Sequence, residues 1–189
     1  MLFYVILIVV WRVVVMKKVY VIQMHTGTIF SKIVKFVTRY NYSHIAISFN
    51  KNCDYIYNFG RKDPDSILNA GFVMENKTGK FFQKFKNTKC RIFEVEITDN
   101  QYNELVRIIK HMKKNEEIYK YDYLGVFLRF LGIPISFRNR YVCSYFVAQL
   151  LEEADVCNFD KETFFVNPRD FENINGFNLI YTGSYSSYK

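Results

Sequence analysis

The sequence predicts one α+β domain built on an antiparallel sheet. Three observations carry that expectation. Short β-branched and aromatic runs recur along the chain, several joined by brief turns. Two segments in the second half have apolar residues at helical spacing. Neither a repeat nor a linker interrupts the 189 residues, a length that suits a single domain.

The elements follow in order. "VYVIQ" (19–23) reads as a strand. "TIFSKIVKFVTRY" (28–40) has Ile29, Phe30, Ile33, Val34 and Val37 at helical spacing. "SHIAISF" (43–49) and "DYIYNF" (54–59) read as two strands of a hairpin across an Asn-rich turn. Residues 60–71 form a loop broken by Gly60 and Pro64. "GFVMEN" (71–76) and "KCRIFEVEIT" (89–98) are further strands. Thr98 and Asp99 cap a helix whose stripe is Tyr102, Leu105, Val106, Ile109 and Met112. "YLGVFLRFLGIPISF" (123–137) is apolar throughout except for Arg129 and Ser136. A helix opens at Cys143, "VNPRDF" (166–171) is a turn, and "FNLIYTG" (177–183) is a last strand.

Composition limits the function classes. Half of the residues are hydrophobic and 19% are aromatic, too apolar for a disordered chain. The net charge of +8 favours anionic partners, an anionic membrane surface among them. Lysines and arginines are scattered rather than massed, so nucleic acid is not expected. The four cysteines lack CxxC spacing and only three histidines exist, so neither a zinc site nor another cofactor is expected. Reduced thiols fit a cytoplasmic setting, with membrane association open. Residues 1–15, "MLFYVILIVVWRVVV", are apolar but shorter than the ~20 residues of a spanning helix. They read as an extension before a second start at Met16, in preference to a membrane anchor; the domain is expected over residues 16–189.

The chemistry centres on Cys143. It lies on the apolar stripe of its helix with Phe146, Val147, Leu150, Leu151 and Ala154, which suits a structural cysteine. It also opens that helix, just after Arg138 and Arg140, and both features favour the nucleophilic thiolate. A thiolate nucleophile needs an imidazole base. His111 faces out of a lysine-rich helix and His25 ends a strand in a turn, whereas His44 opens a strand face shared with the small residues Ala46 and Ser48. If the hairpin turn is Asn50–Lys51–Asn52 with Asn52 left-handed, His44 pairs directly with Asn58 and both project from one face. That register yields nucleophile, base and orienter as Cys143, His44 and Asn58. Glu75 is the alternative orienter, and Tyr141, Ser144 and Ser43 are candidates for the substrate groove.

"YNYSHIAISF", "YIYNFGRK", "AGFVME" and above all "YVCSYFVAQLLEEADV" followed by "VNPRDF" resemble the circularly permuted papain-like hydrolases of the NlpC type, the YiiX-like group. The resemblance spans Met16 to the C-terminus. It rests most on Ser43–His44 and Cys143–Ser144, with the histidine strand before the cysteine helix. It implies a permuted papain-like fold and hydrolysis or transfer at an amide or ester through a thioester. The substrate so implied is a peptide amide or a lipid ester or amide, and a non-catalytic relative that binds lipid or peptide in the same groove is the other function. The group's third residue is often a glutamate on the strand after the histidine; the position here is Asn58, which keeps Glu75 open. The apolar run before Cys143 and the 19 Phe and 15 Tyr suit an acyl chain, though such a run equally suits an ordinary core helix.

Overall fold

A computed structural model describes residues 15–28, 31, 35 and 39–189. The helix expected over 28–40 falls largely outside these residues, as do the first fourteen. Strands β1 (Met16–His25), β2 (His44–Ser48), β3 (Tyr55–Arg61), β4 (Ala70–Asn76), β5 (Lys89–Thr98), β6 (Lys120–Tyr121), β7 (Arg140–Tyr141) and β8 (Phe177–Ser184) form one sheet. Its order is β7-β6-β4-β3-β2-β1-β5-β8. Every neighbouring pair is antiparallel except β6 and β7. Helices α1 (Lys80–Lys84), α2 (Asp99–Lys114), α3 (Tyr123–Phe130) and α4 (Cys143–Glu153) complete the α+β architecture. No helix among the described residues is long and apolar enough to cross a membrane.

β1 explains the layering. It is central, paired to β2 on one side and β5 on the other, and it is buried on both faces. Val19 and Val21 face a core shared with α2 and α4 through Leu105, Ile109, Phe146, Val147 and Leu150. Tyr20, Ile22 and Met24 face a second core closed by Phe82, Tyr185 and Tyr188. A strand covered on both faces reads as a continuous apolar run rather than an alternation, and this is what "VYVIQM" is. α2 starts on a capping box in which Thr98 and Gln101 satisfy each other's backbone donors. α4 buries the expected stripe against β2 and β3.

Several boundaries differ from the sequence reading. β3 runs on to Arg61 and β4 begins at Ala70, which shortens the 60–71 loop at both ends. The five-residue α1 and the two-residue β6 and β7 carry no periodicity long enough to read. The apolar run 123–137 is not a core helix: α3 ends at Phe130 and Leu124, Phe127 and Leu131 point to solvent.

The β2–β3 hairpin is also wider than a three-residue turn allows. Ile47 pairs with Tyr57, so antiparallel stepping sets Ala46 opposite Asn58 and His44 opposite Gly60. The left-handed residue is Cys53 (φ 51°), not Asn52. Side chains hold the wider turn closed: Ser48 Oγ donates to the Tyr55 carbonyl at 2.7 Å, and Asn50 Nδ2 donates to Asp54 at 3.0 Å. The Tyr185 hydroxyl pins the Cys53 carbonyl from the C-terminal tail, at 2.6 Å. The register therefore slips by two residues from the direct His44–Asn58 pair. A slip of two keeps every side chain on its face, where a slip of one would have reversed them.

Candidate active site

Three strands and one helix bring the site together. His44 opens β2, Asn58 sits mid-β3, Glu75 lies near the end of β4, and Cys143 is the first residue of α4. Asn58 is diagonal to His44 rather than opposite it, and its Oδ1 lies 3.2 Å from His44 Nε2. Asn58 Nδ2 in turn donates to Glu75 Oε2 at 3.4 Å. An amide that donates to Glu75 presents its oxygen to His44, so Nε2 must be the protonated ring nitrogen. That leaves Nδ1 to exchange a proton with sulfur. Asn58 and Glu75, weighed as alternatives from the sequence, form one chain behind His44, with Asn58 in contact and Glu75 behind it.

Gly60 leaves the space this contact needs. A Cβ there would stand 2.5 Å from Asn58 Oδ1 and 3.7 Å from His44 Cε1. Gly60→Ala should therefore push away the atom that accepts from His44. A misplacement of this kind should slow Cys143 alkylation at neutral pH by about tenfold, less than loss of the His44 ring itself. The measurement is the alkylation rate beside a thermal melt. An unchanged rate would show that the Asn58 contact does not set the position of His44.

The thiol electrostatics single out Cys143. Burial pushes Cys53, Cys90 and Cys157 up to about 12. Cys143, 5% exposed, is held below the ordinary thiol value instead. Burial alone would raise it too. The His44 imidazolium, its hydrogen bond, a bond from the Ile45 backbone N–H and the Arg129 guanidinium together outweigh burial. His44 moves the opposite way: burial opposes its charged form, but the thiolate, Glu75 and Asn58 raise it. Each partner supplies the charge that keeps the other ionised, so the two titrate as a pair. No side chain caps α4, whose N-cap Val142 has an extended backbone. Uncapped first-turn N–H groups can donate to a developing oxyanion.

Arg129 is the arginine that most favours the thiolate; Arg138 and Arg140, credited from the sequence, are not among its largest influences. Arg129 reaches in from α3. Its Nη1 donates to Ser144 Oγ and to the Val166 carbonyl, both at 3.3 Å. The Phe164 ring lies 4.6 Å from the guanidinium carbon. Burial lowers its pKa to about 10, which still leaves it charged at neutral pH. The one signal for it in the sequence is a single charge inside an apolar run.

Of the three groove candidates, Ser43 lines a cavity of ≈70 Å³ whose walls include His44, Asn58, Gly60, Glu75 and Tyr121. Its Oγ is buried without a partner among the described residues. Ser144 instead turns inward, donating to the Val166 carbonyl at 2.6 Å. Tyr141 packs in the core against Phe59 and Tyr145. His25 lies against Ser31, with 3.4 Å between Nδ1 and Oγ, and His111 is exposed on α2. No group of His, Cys, Asp and Glu among the described residues is gathered so as to hold a metal ion.

No protein-family model matches the chain, and no curated protein matches it. The geometry therefore carries the functional argument by itself.

Proposed function

We propose that this protein is a cysteine hydrolase or acyltransferase of the permuted papain-like, NlpC-type kind. The carrying observation is the Cys143–His44 pair at a helix N-terminus, backed by Asn58 and Glu75. The chain order is base strand first and nucleophile helix last, as the permuted arrangement requires.

The chemistry follows from the placement. The Cys143 thiolate attacks an amide or ester carbonyl carbon, forming a C–S bond while the carbonyl oxygen takes the negative charge. The uncapped α4 first-turn N–H groups are the donors available to that oxyanion. Collapse breaks the C–N or C–O bond, and the His44 imidazolium passes its Nδ1 proton to the departing amine or alcohol. Neutral His44 then deprotonates a water, or the hydroxyl or amine of an acceptor, which attacks the thioester. The acyl group leaves as an acid or a new ester or amide, and Cys143 is regenerated as thiolate with His44 protonated. Asn58 keeps Nε2 protonated throughout, so the same nitrogen, Nδ1, serves both half-reactions.

Intact-protein and peptide mass spectrometry after brief treatment with a small chloroacetamide at pH 6 tests the reading. Labelling should fall on Cys143 alone, because the other three thiols are pushed up to about 12 by burial. Labelling that is absent, or spread over the cysteines, would turn the reading towards a non-catalytic lipid- or peptide-binding groove.

A further inference from the structure

The segment before the nucleophile shows its apolar side to water. On α3 and just beyond it, Leu124, Phe127 and Leu131 fall at i, i+3 and i+7, one helical stripe, and Phe127 and Leu131 are 68% and 72% exposed. The chain continues through Ile133, Ile135 and Phe137, all exposed. A second segment adds to the same surface: the Tyr123 hydroxyl donates to the Ile67 carbonyl, which brings the β3–β4 loop against α3. Leu68, the next residue of that loop, is 87% exposed. Large apolar residues gathered from two segments are not the scattered exposure usual on a soluble surface.

Within residues 118–142 the exposed charges have one sign. Between residues 118 and 142 the cations are Lys120, Arg129, Arg138 and Arg140. The one acid there, Asp122, is buried and caps the Gly125 N–H at 2.8 Å. Lys120, Arg138 and Arg140 are exposed. In the β3–β4 loop, Asp65 is paired with Lys84, and Asp63 is the other acid. The patch also borders the site, because Ile67, Tyr123 and Arg61 line the same cavity as His44.

We propose that α3, residues 131–137 and the Ile67–Leu68 pair form a docking surface for an anionic lipid bilayer, which would set the mouth of the His44 cavity against the membrane interface. An apolar stripe flanked by cations is what an interfacial helix presents to acyl chains and anionic headgroups. A second copy of this chain fits less well, since a two-fold contact through the patch would bring like cationic flanks together. The proposal concerns membrane docking and holds whether or not Cys143 is a nucleophile.

The test is co-sedimentation of the full chain with vesicles of pure phosphatidylcholine and with vesicles containing about 30% phosphatidylserine. The chain should bind the anionic vesicles at least tenfold more tightly, and added salt should weaken that preference. Phe127→Ser with Leu131→Ser should weaken binding to both vesicles about tenfold or more. Arg138→Gln with Arg140→Gln should weaken binding to the anionic vesicles only. Residues 1–15 are present in every protein compared, so their own affinity cancels. Leu68→Ser, on the other segment, repeats the apolar test should the helix variant fold poorly. Cys143 alkylation should be unchanged in all variants, which separates loss of docking from loss of the site. Serine variants that bind as the parent does would overturn the proposal. So would a lipid-free dimer, seen by sedimentation equilibrium, that Leu131→Ser dissolves.

Discussion

His44→Ala should return Cys143 to the company of the other buried cysteines. Its thiolate is held against burial chiefly by the His44 charge and hydrogen bond. With those gone, Ile45 N–H and Arg129 remain, and burial should lift the thiol above its ordinary range, as it does for Cys53 and Cys90. Alkylation at pH 7 should fall by roughly 100-fold or more, since each unit of pKa removes about tenfold of thiolate. The midpoint of the rate against pH should move from below about 8.5 to above it. Cys143→Ala should abolish labelling at this position with little change in fold, because alanine fits the same helix start. In turnover of any amide or ester found to be a substrate, the Cys143→Ala/His44→Ala pair should be no worse than either single change, as expected of groups that act as a unit. Asn58→Ala should be milder, since it removes the group that positions the ring and leaves the ring in place. A His44→Ala protein whose thiol keeps the parental midpoint would end the ion-pair account.

The parts of this site that could be read in the sequence are those that survive a change of register. Strand parity put His44 and Asn58 on one face, and a two-residue slip left that intact. The helix at Cys143 announced itself by its stripe, all of it buried. The wider turn could not be read, because part of what fixes it is tertiary: Tyr185 reaches Cys53 from 132 residues away. Arg129 was hidden for a similar reason. Spacing along the chain favoured Arg138 and Arg140, whereas distance in space favours a residue on a different helix. The Ile45 N–H that bonds the sulfur has no side-chain signature at all. For the apolar run, hydrophobicity was legible and direction was not. A helix stripe reads the same whether it faces a core or a membrane, and only the neighbours of Leu124, Phe127 and Leu131 decide.

Glu75 should make the protein less stable as pH rises, and Glu75→Gln should remove that loss. Burial raises the Glu75 carboxyl to about 7, against 4.5 for the free group, with the His44 charge and the Asn58 bond pulling it part of the way back. Between those values the folded state holds a proton that the unfolded state has released. Stability then falls with pH across the window from 4.5 to about 7 and levels off above it. The shift corresponds to on the order of 3 kcal/mol. Glutamine keeps an oxygen for Asn58 Nδ2 and carries no charge to bury. Its stability should match the parent near pH 4 and exceed it at pH 8, by up to about 10 °C in thermal midpoint for a domain of this size. The comparison is the difference between the two proteins, so other carboxylates that titrate in the same range drop out. The cost should appear at the base. His44 loses a neighbouring carboxylate that raises it, so its ring should titrate lower in the variant by NMR. Melting curves whose difference does not vary from pH 4 to pH 8 would mean that Glu75 is already ionised in the fold, and the chain behind His44 would then be a charged one.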